Sequence, residues 1–329
     1  MLNKTLTKEC FNGLILPYDC DGTNADALFI TEYDGISIAN ISSVVDSKYV
    51  SLKKAVESKT LIAARNVWAK TKAFLTNSKG ITYETCAKHY NIGIFNNTVV
   101  SNNANDGLII AKPVSSKFAA IKVNTITVKS PLNGTYTVFI KSIGGAILWQ
   151  QNISLQPNLE TILTVDVLFY ENAIISTTIP QGYQTTSNSA TNHCEGVYVK
   201  DVCNDSCCDL LAKYLNAGVQ TYIGSTLIAC VSLECSEDLM LCALKEDLSY
   251  AILYQTVHHL LAEATNTNRV NAFVLNGMEW TEENKLISLN LANAEIENNA
   301  AQMVSKLTAD KCCIGCTGTG GFRKVTVLP

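Results

Sequence analysis

The spacing of apolar residues changes along this chain, and that change limits what it can fold into. Between residues 92 and 182 they recur at every second position: Ile121 and Val123; Tyr136, Val138 and Ile140; Ile147 and Trp149; Ile153 and Leu155; and Leu163, Val165, Val167 and Phe169. Alternation at period two marks a half-buried strand. The breaks hold Pro131-Leu132-Asn133-Gly134, Gly144-Gly145 and Gln156-Pro157-Asn158, which are turn signals. Short strands at this spacing predict a compact antiparallel sandwich of jelly-roll kind.

On either side the spacing becomes three and four. Leu286, Leu289, Ala292, Ile296, Ala300, Met303 and Leu307 fall on one face of a helix predicted over 281–307, with Thr281 as its cap and Glu282 and Glu283 at the positive end of its dipole. A helix over 248–264 carries Tyr250, Leu253, Tyr254, Val257, Leu261 and Ala264 as a matching stripe. Earlier, Asp46 is placed to cap a helix with Tyr49, Leu52 and Val56, and a second follows with Leu61, Ala64, Trp68 and Leu75. Neither helical segment makes a core alone. The sequence therefore predicts an α+β protein: a helical domain built from segments 1–91 and 183–329, with the β-sandwich inserted at 92–182.

Smaller expectations complete the outline. Leu28 to Ile30 and Ile36 to Ile38 read as a hairpin about Asp34-Gly35; Gly196 to Val199 and Thr221 to Cys235 read as strands; Ser206 to Leu215 reads as a short helix. The segment 265–280 reads as a loop holding a short strand at Ala272 to Leu275.

Charge narrows the function classes. Only 16% of residues are charged and the net charge is −4, so a broad basic footprint for sequence-specific nucleic-acid binding is not expected. Lys53, Lys54, Lys59, Arg65, Lys70 and Lys72 make the most basic face, which reads as solvated helix surface. No apolar run approaches the ~20 residues of a membrane span. Lys4 and Lys8 near the start are followed by no apolar segment, so export by the general secretory route is not expected.

Thirteen cysteines invite two readings. The favoured one makes them small buried residues with one or two disulfides closing loops. The alternative gathers Cys203, Cys207, Cys312, Cys313 and Cys316 around zinc, although their spacing repeats no clean C-x2-C pair. No cofactor is expected otherwise. His258 and His259 are adjacent in a helix, where one must point away from the other, so a shared metal is not expected; His89 and His193 are the other histidines, and His193-Cys194 precedes the first cysteine cluster. No H-E-x-x-H, G-x-S-x-G or P-loop spacing occurs, and no base is paired with a nucleophile and an orienting group, so an enzyme is not expected.

Gly315 to Gly321 reads as a hinge leading to Phe322-Arg323-Lys324-Val325-Thr326-Val327-Leu328-Pro329, a short alternating end. Phe322, Val325, Val327 and Leu328 are the candidate interface residues, completing their pairing on the open sheet edge of a neighbouring copy.

The order of features resembles structural proteins of Bacteroides-type tailed phages, including crAss-like phages. The residues that carry the likeness are Asp34-Gly35-Ile36-Ser37-Ile38-Ala39-Asn40-Ile41, the Asp-started helix pair, the β insert, the late helices ending near Leu307, and the cysteine-rich tail finishing in Val325-Thr326-Val327-Leu328-Pro329. The resemblance implies a homo-oligomeric ring or head-to-tail connector in the neck or tail of the virion. It also implies assembly in the host cytoplasm, other neck, tail or portal proteins as partners, and no catalytic residues. A second reading is a host-surface or protein-binding module, with Trp149, Tyr136 and Tyr170 as platform aromatics on the sandwich.

Overall fold

The computed structural model describes residues 9–18, 27–33, 36, 51–83, 88–103, 106–112, 116–186, 210–216, 219–266, 278–310 and 313–314. The fold is α+β, with a helical domain drawn from both ends of the chain and an antiparallel β-sandwich inserted between them. Two compact units result, one from 1–82 and 237–309, the other from 83–236 and 310–316.

In the helical unit, β1 (Ile15–Leu16) pairs in parallel with β2 (Leu28–Phe29), and a 3-10 turn follows at Ile30–Glu32. Leu28 and Phe29 are thus paired with an earlier strand; residues 37 and 38 of the expected hairpin lie outside the described residues. The expected early helix pair is instead one helix, α1 (Leu52–Lys79), of 28 residues. It contains no glycine or proline to interrupt it. The Ser51 hydroxyl caps it by accepting from Lys54 N–H at 3.3 Å. Asp46 and Tyr49 lie outside the described residues. The helix stops at Gly80, whose φ of 67° is the left-handed conformation glycine adopts without a side-chain clash.

The later helices are α2 (Glu237–Ala243), α3 (Ser249–Asn266), α4 (Met278–Asn298) and α5 (Ala300–Thr308). Thr281 lies inside α4 rather than capping it, because the helix already begins at Met278; 267–277 lie outside the described residues. Ala251, Ile252, Val257 and Leu260 of α3 are buried, and α1 and α4 both pack against this helix. Each large apolar side chain so buried contributes roughly 1.5–3 kcal/mol. Tyr250, expected on the buried stripe, is 46% exposed.

The stripe of α4 also runs differently from expectation. Ser288, Ala292 and Ile296 are buried, continued in α5 by Ala300, Met303 and Leu307. Leu286 is exposed. The two helices are separated at Asn299, which has φ −90° and ψ 1° and donates from its amide to Asp247 O at 3.0 Å.

The β unit comprises β3 (Lys88–Ile92), β4 (Ile94–Ser101), β5 (Gly107–Ala111), β6 (Ala119–Lys129), β7 (Gly134–Ser142), β8 (Ile147–Leu155), β9 (Glu160–Phe169), β10 (Ala173–Thr177) and β11 (Gln181–Thr186). It continues through β12 (Leu211–Asn216), β13 (Val219–Thr221), β14 (Ile223–Ser225) and β15 (Leu227–Cys235). Strand orders are β13-β12-β5-β10-β7-β8, β14-β11-β4 and β3-β15-β6-β9, with every pair antiparallel. The sandwich therefore extends past the expected limit of 182. Leu211–Asn216, of which all but Asn216 was expected to be helix, is a strand because it adds to the edge of β5 and buries Tyr214, whose hydroxyl donates to Leu227 O at 3.1 Å. The inner faces are apolar: Ile121, Val123, Ile126, Val128, Ala229 and Val231 come from one sheet and Leu108, Ile110, Val138, Ile140 and Ile175 from another, all at most 1% exposed. Single residues, Gly93 (φ 96°) and Thr226 (φ 77°), pass the chain from the three-stranded sheet to the four-stranded one or back.

Candidate assembly surfaces

Two long strands end their sheets on the β unit, and they follow one another in the chain. β8 closes one side of the six-stranded sheet, and β9 closes one side of the four-stranded sheet. The apolar residues in and beside them are unusually bare: Ile143 is 58% exposed, Ile147 55%, Leu148 44%, Leu159 56% and Ile162 68%. An edge strand with exposed apolar side chains is a template for another chain.

The two edges differ in chemistry. On β9, Glu160 and Asp166 are exposed, Asp166 adopts a φ of 53° at a register shift, and Lys122 reaches its carboxylate at 2.7 Å. Charge and a bulge are what keep an edge from pairing. β8 reads Ile-Leu-Trp-Gln-Gln-Asn-Ile-Ser-Leu, with no charge and no proline. Its register against β7 is regular from Trp149 to Leu155 and irregular only beside Leu148.

Trp149 is half-buried opposite the buried Ile140, while the Tyr136 hydroxyl donates to Asn133 O at 3.1 Å. Tyr170 lies beyond the end of β9.

A second apolar patch sits on the helical unit, where Leu286, Ile287 and Leu291 of α4 are 59%, 42% and 38% exposed. The phase of α4 explains it, since burying Ser288, Ala292 and Ile296 turns these three outward.

Part of the basic face of α1 is used inside the helical unit, while Lys53 and Lys54 stay exposed as expected. Lys59 pairs with Glu263 at 2.7 Å with both side chains about 15% exposed, Lys72 pairs with Glu237, and Lys70 donates to Gln255 Oε1 at 3.1 Å and Asn293 Oδ1 at 3.4 Å. His259 contacts the Asn66 amide at 3.0 Å. Burial, then His258, Lys59 and Lys70, push its pKa down to about 4, so it is neutral at pH 7. His258 Nδ1 lies 2.9 Å from Lys285 O. These contacts bind helix to helix. Beside Phe11, Gly13, Glu57 and Leu61 there is a recess of about 20 Å3, room for a single water.

The cysteines act as staples. Cys10 is bonded to Cys242 within the helical unit, and Cys235 to Cys313 within the β unit. Cys230 is also disulfide-bonded. Cys313 therefore has no thiolate to offer zinc. Cys203, Cys207, Cys312 and Cys316 lie outside the described residues, as do Phe322, Val325, Val327 and Leu328. Among the described residues there is no group of three or more His, Cys, Asp or Glu able to hold a metal ion.

Beside that second staple Asp310 forms a polar clasp, missed in the sequence. Its Oδ2 accepts from the Ser116 hydroxyl and from Phe118 N–H at 2.8 Å, and its Oδ1 accepts from Cys313 N–H at 3.1 Å. Tyr83 and Ile314 form an antiparallel bridge in the same unit.

No helix among the described residues is long and apolar enough to cross a membrane. No family model matches the chain, and no curated protein matches it. A chain from the crystal structure of the T13 IBDV viral particle aligns with 9% identity and a TM-score of 0.15, covering 61% of this chain and 52% of that one. This chain thus spans about half the length of that neighbour, and at such a score the likeness carries no argument.

Proposed function

We propose that this chain is a structural subunit of a tailed-phage virion, built in the host cytoplasm and forming an oligomeric ring or connector in the neck or tail. The observation that carries the reading is the pair of sheet edges with exposed apolar side chains, Ile143, Ile147 and Leu148 at β8, a strand without charge, and Leu159 and Ile162 at β9. An open edge with bare apolar side chains is a place for another chain to pair. The order of sequence features, similar to that of crAss-like phage structural proteins, supplies the virion context.

In this reading the chain is not an enzyme and carries no cofactor. Phe322, Val325, Val327 and Leu328 contact a neighbouring copy, and portal or tail proteins cover the remaining apolar surface. Ring subunits meet through heterologous contacts that close by rotation. Electron microscopy of the purified chain, with light scattering on the same sample, tests the assembly. Closed rings of uniform size support it; a monomer at every concentration removes it.

A further inference from the structure

Backbone phase determines what the free edge of β8 presents. Thr137 of β7 donates its N–H to Thr178 Oγ1 at 2.9 Å and accepts from Thr178 N–H at 3.0 Å, so both of its backbone groups point away from β8. Thr137 lies directly opposite Asn152. In an antiparallel ladder, residues opposite each other either exchange both hydrogen bonds or turn both groups outward. Asn152 therefore turns its N–H and C=O to the open edge. Gln150 and Ser154, two positions away on either side, do the same, and no described strand lies beyond them.

We propose that two copies of this chain pair through β8, antiparallel and about a twofold axis at Asn152, so that their six-stranded sheets join into one. The strand matches its own reverse about that axis. On the inner face Trp149 meets Leu155 of the second copy, and Gln151 meets Ile153. On the outer face Gln150 meets Ser154, and Asn152 meets Asn152, so amides and a hydroxyl oppose one another across the axis. Beyond the strand, the exposed Ile147 falls opposite Pro157 of the second copy.

No charged residue in β8 opposes itself under this symmetry, which is the usual obstacle to self-pairing at an edge. Axes at Gln150 or Ser154 would satisfy the same backbone phase. Only Asn152 keeps the whole regular stretch, Trp149 to Leu155, in register with itself. The tail segment Phe322 to Pro329 is a poorer occupant of this edge, because Arg323 and Lys324 would find no carboxylate on β8. A twofold contact is isologous and distinct from the heterologous contacts that close a ring. The inference thus goes beyond the proposed function.

The test places charge on the axis of the full-length chain. Asn152 is exposed, so Asn152→Lys and Asn152→Glu leave the fold intact, which equal thermal melts verify. Sedimentation velocity and native mass spectrometry of the unaltered chain are expected to show even-numbered association. Each variant alone weakens it at least tenfold, and an equimolar mixture restores it as mixed pairs. Amides of Gln150, Asn152 and Ser154 are expected to exchange faster with deuterium in the single variants than in the unaltered chain. Unchanged association in Asn152→Lys overturns the contact, as does a mixture that fails to reassociate. Rings that persist in both variants sink this contact and leave the proposed function standing, whereas a monomeric unaltered chain sinks both.

Discussion

The Asp310 carboxylate accepts a hydrogen bond from the Ser116 hydroxyl at 2.9 Å, and both residues are 2% exposed. Two backbone N–H groups, of Phe118 and Cys313, also point at this carboxylate. Asp310→Ala leaves these donors buried and unsatisfied, so it is expected to cost about 3 kcal/mol, against about 1–2 kcal/mol for Ser116→Ala, which strands only the Ala119 N–H that donates to the Ser116 hydroxyl at 3.0 Å. Urea unfolding midpoints of the two variants measure the difference; equal midpoints would mean that the clasp is not the anchor it resembles.

Reduction removes a second restraint at the same place. The Cys235–Cys313 bond closes a loop of 78 residues, for which chain entropy predicts roughly 4 kcal/mol. The Cys235→Ser/Cys313→Ser double variant is expected to lose about 2–4 kcal/mol of stability. It should also respond less to added reductant than the unaltered chain does in calorimetry.

Acid should loosen the helical unit through His259. Its pKa in the folded chain is about 4, below the usual value of roughly 6.5, so the unfolded chain binds the extra proton first. The stability contributed by the neutral ring is complete above about pH 6.5 and is lost as pH falls toward 4. Because the ring is only about half-buried, solvent screening reduces the effect to the order of 1 kcal/mol. Thermal melts of His259→Gln between pH 7 and 4 are expected to show a shallower decline than those of the unaltered chain.

Two glycines should respond very differently to alanine. A Cβ on Gly224 would lie 2.1 Å from the buried ring of Tyr214, while one on Gly80 meets nothing within 4 Å and strains only the positive φ. Gly80→Ala is expected to cost about 1 kcal/mol. Gly224→Ala should cost roughly 3 kcal/mol or more, because the Tyr214 side chain has nowhere to move. Chemical denaturation distinguishes the two.

The strands from β6 to β9 were legible because alternation and turn residues agree over the whole stretch, and a regular register fixes which face is buried. The continuity of α1 was not: one helix was expected through Val56 and a second from Leu61, yet the chain stays helical between them, with the Thr60 hydroxyl donating to Val56 O at 2.9 Å. Leu286 misled for a similar reason. The buried face of α4 is set partly by Ser288, whose hydroxyl donates to Lys285 O at 2.9 Å, and no hydrophobicity pattern selects a serine. Of the candidate site, the abundance of cysteine was visible but not its pairing, because Cys235 and Cys313 are neighbours only after 78 residues of intervening chain have folded. The ion pair of Lys59 with Glu263 was hidden in the same way, and a charge destined for an internal partner reads as surface.

The staple at Cys235 and Cys313 also changes how the chain carries tension. The 78 residues of sequence separation would contribute a contour of about 260 Å if drawn straight. With the sulfurs joined, the same stretch spans 5.4 Å between Cα atoms, and a pull along the backbone passes through the bridge without unravelling the helices after it. Held in an optical trap by handles placed just outside Cys235 and Cys313, a single molecule should therefore extend short by that contour until reductant is admitted.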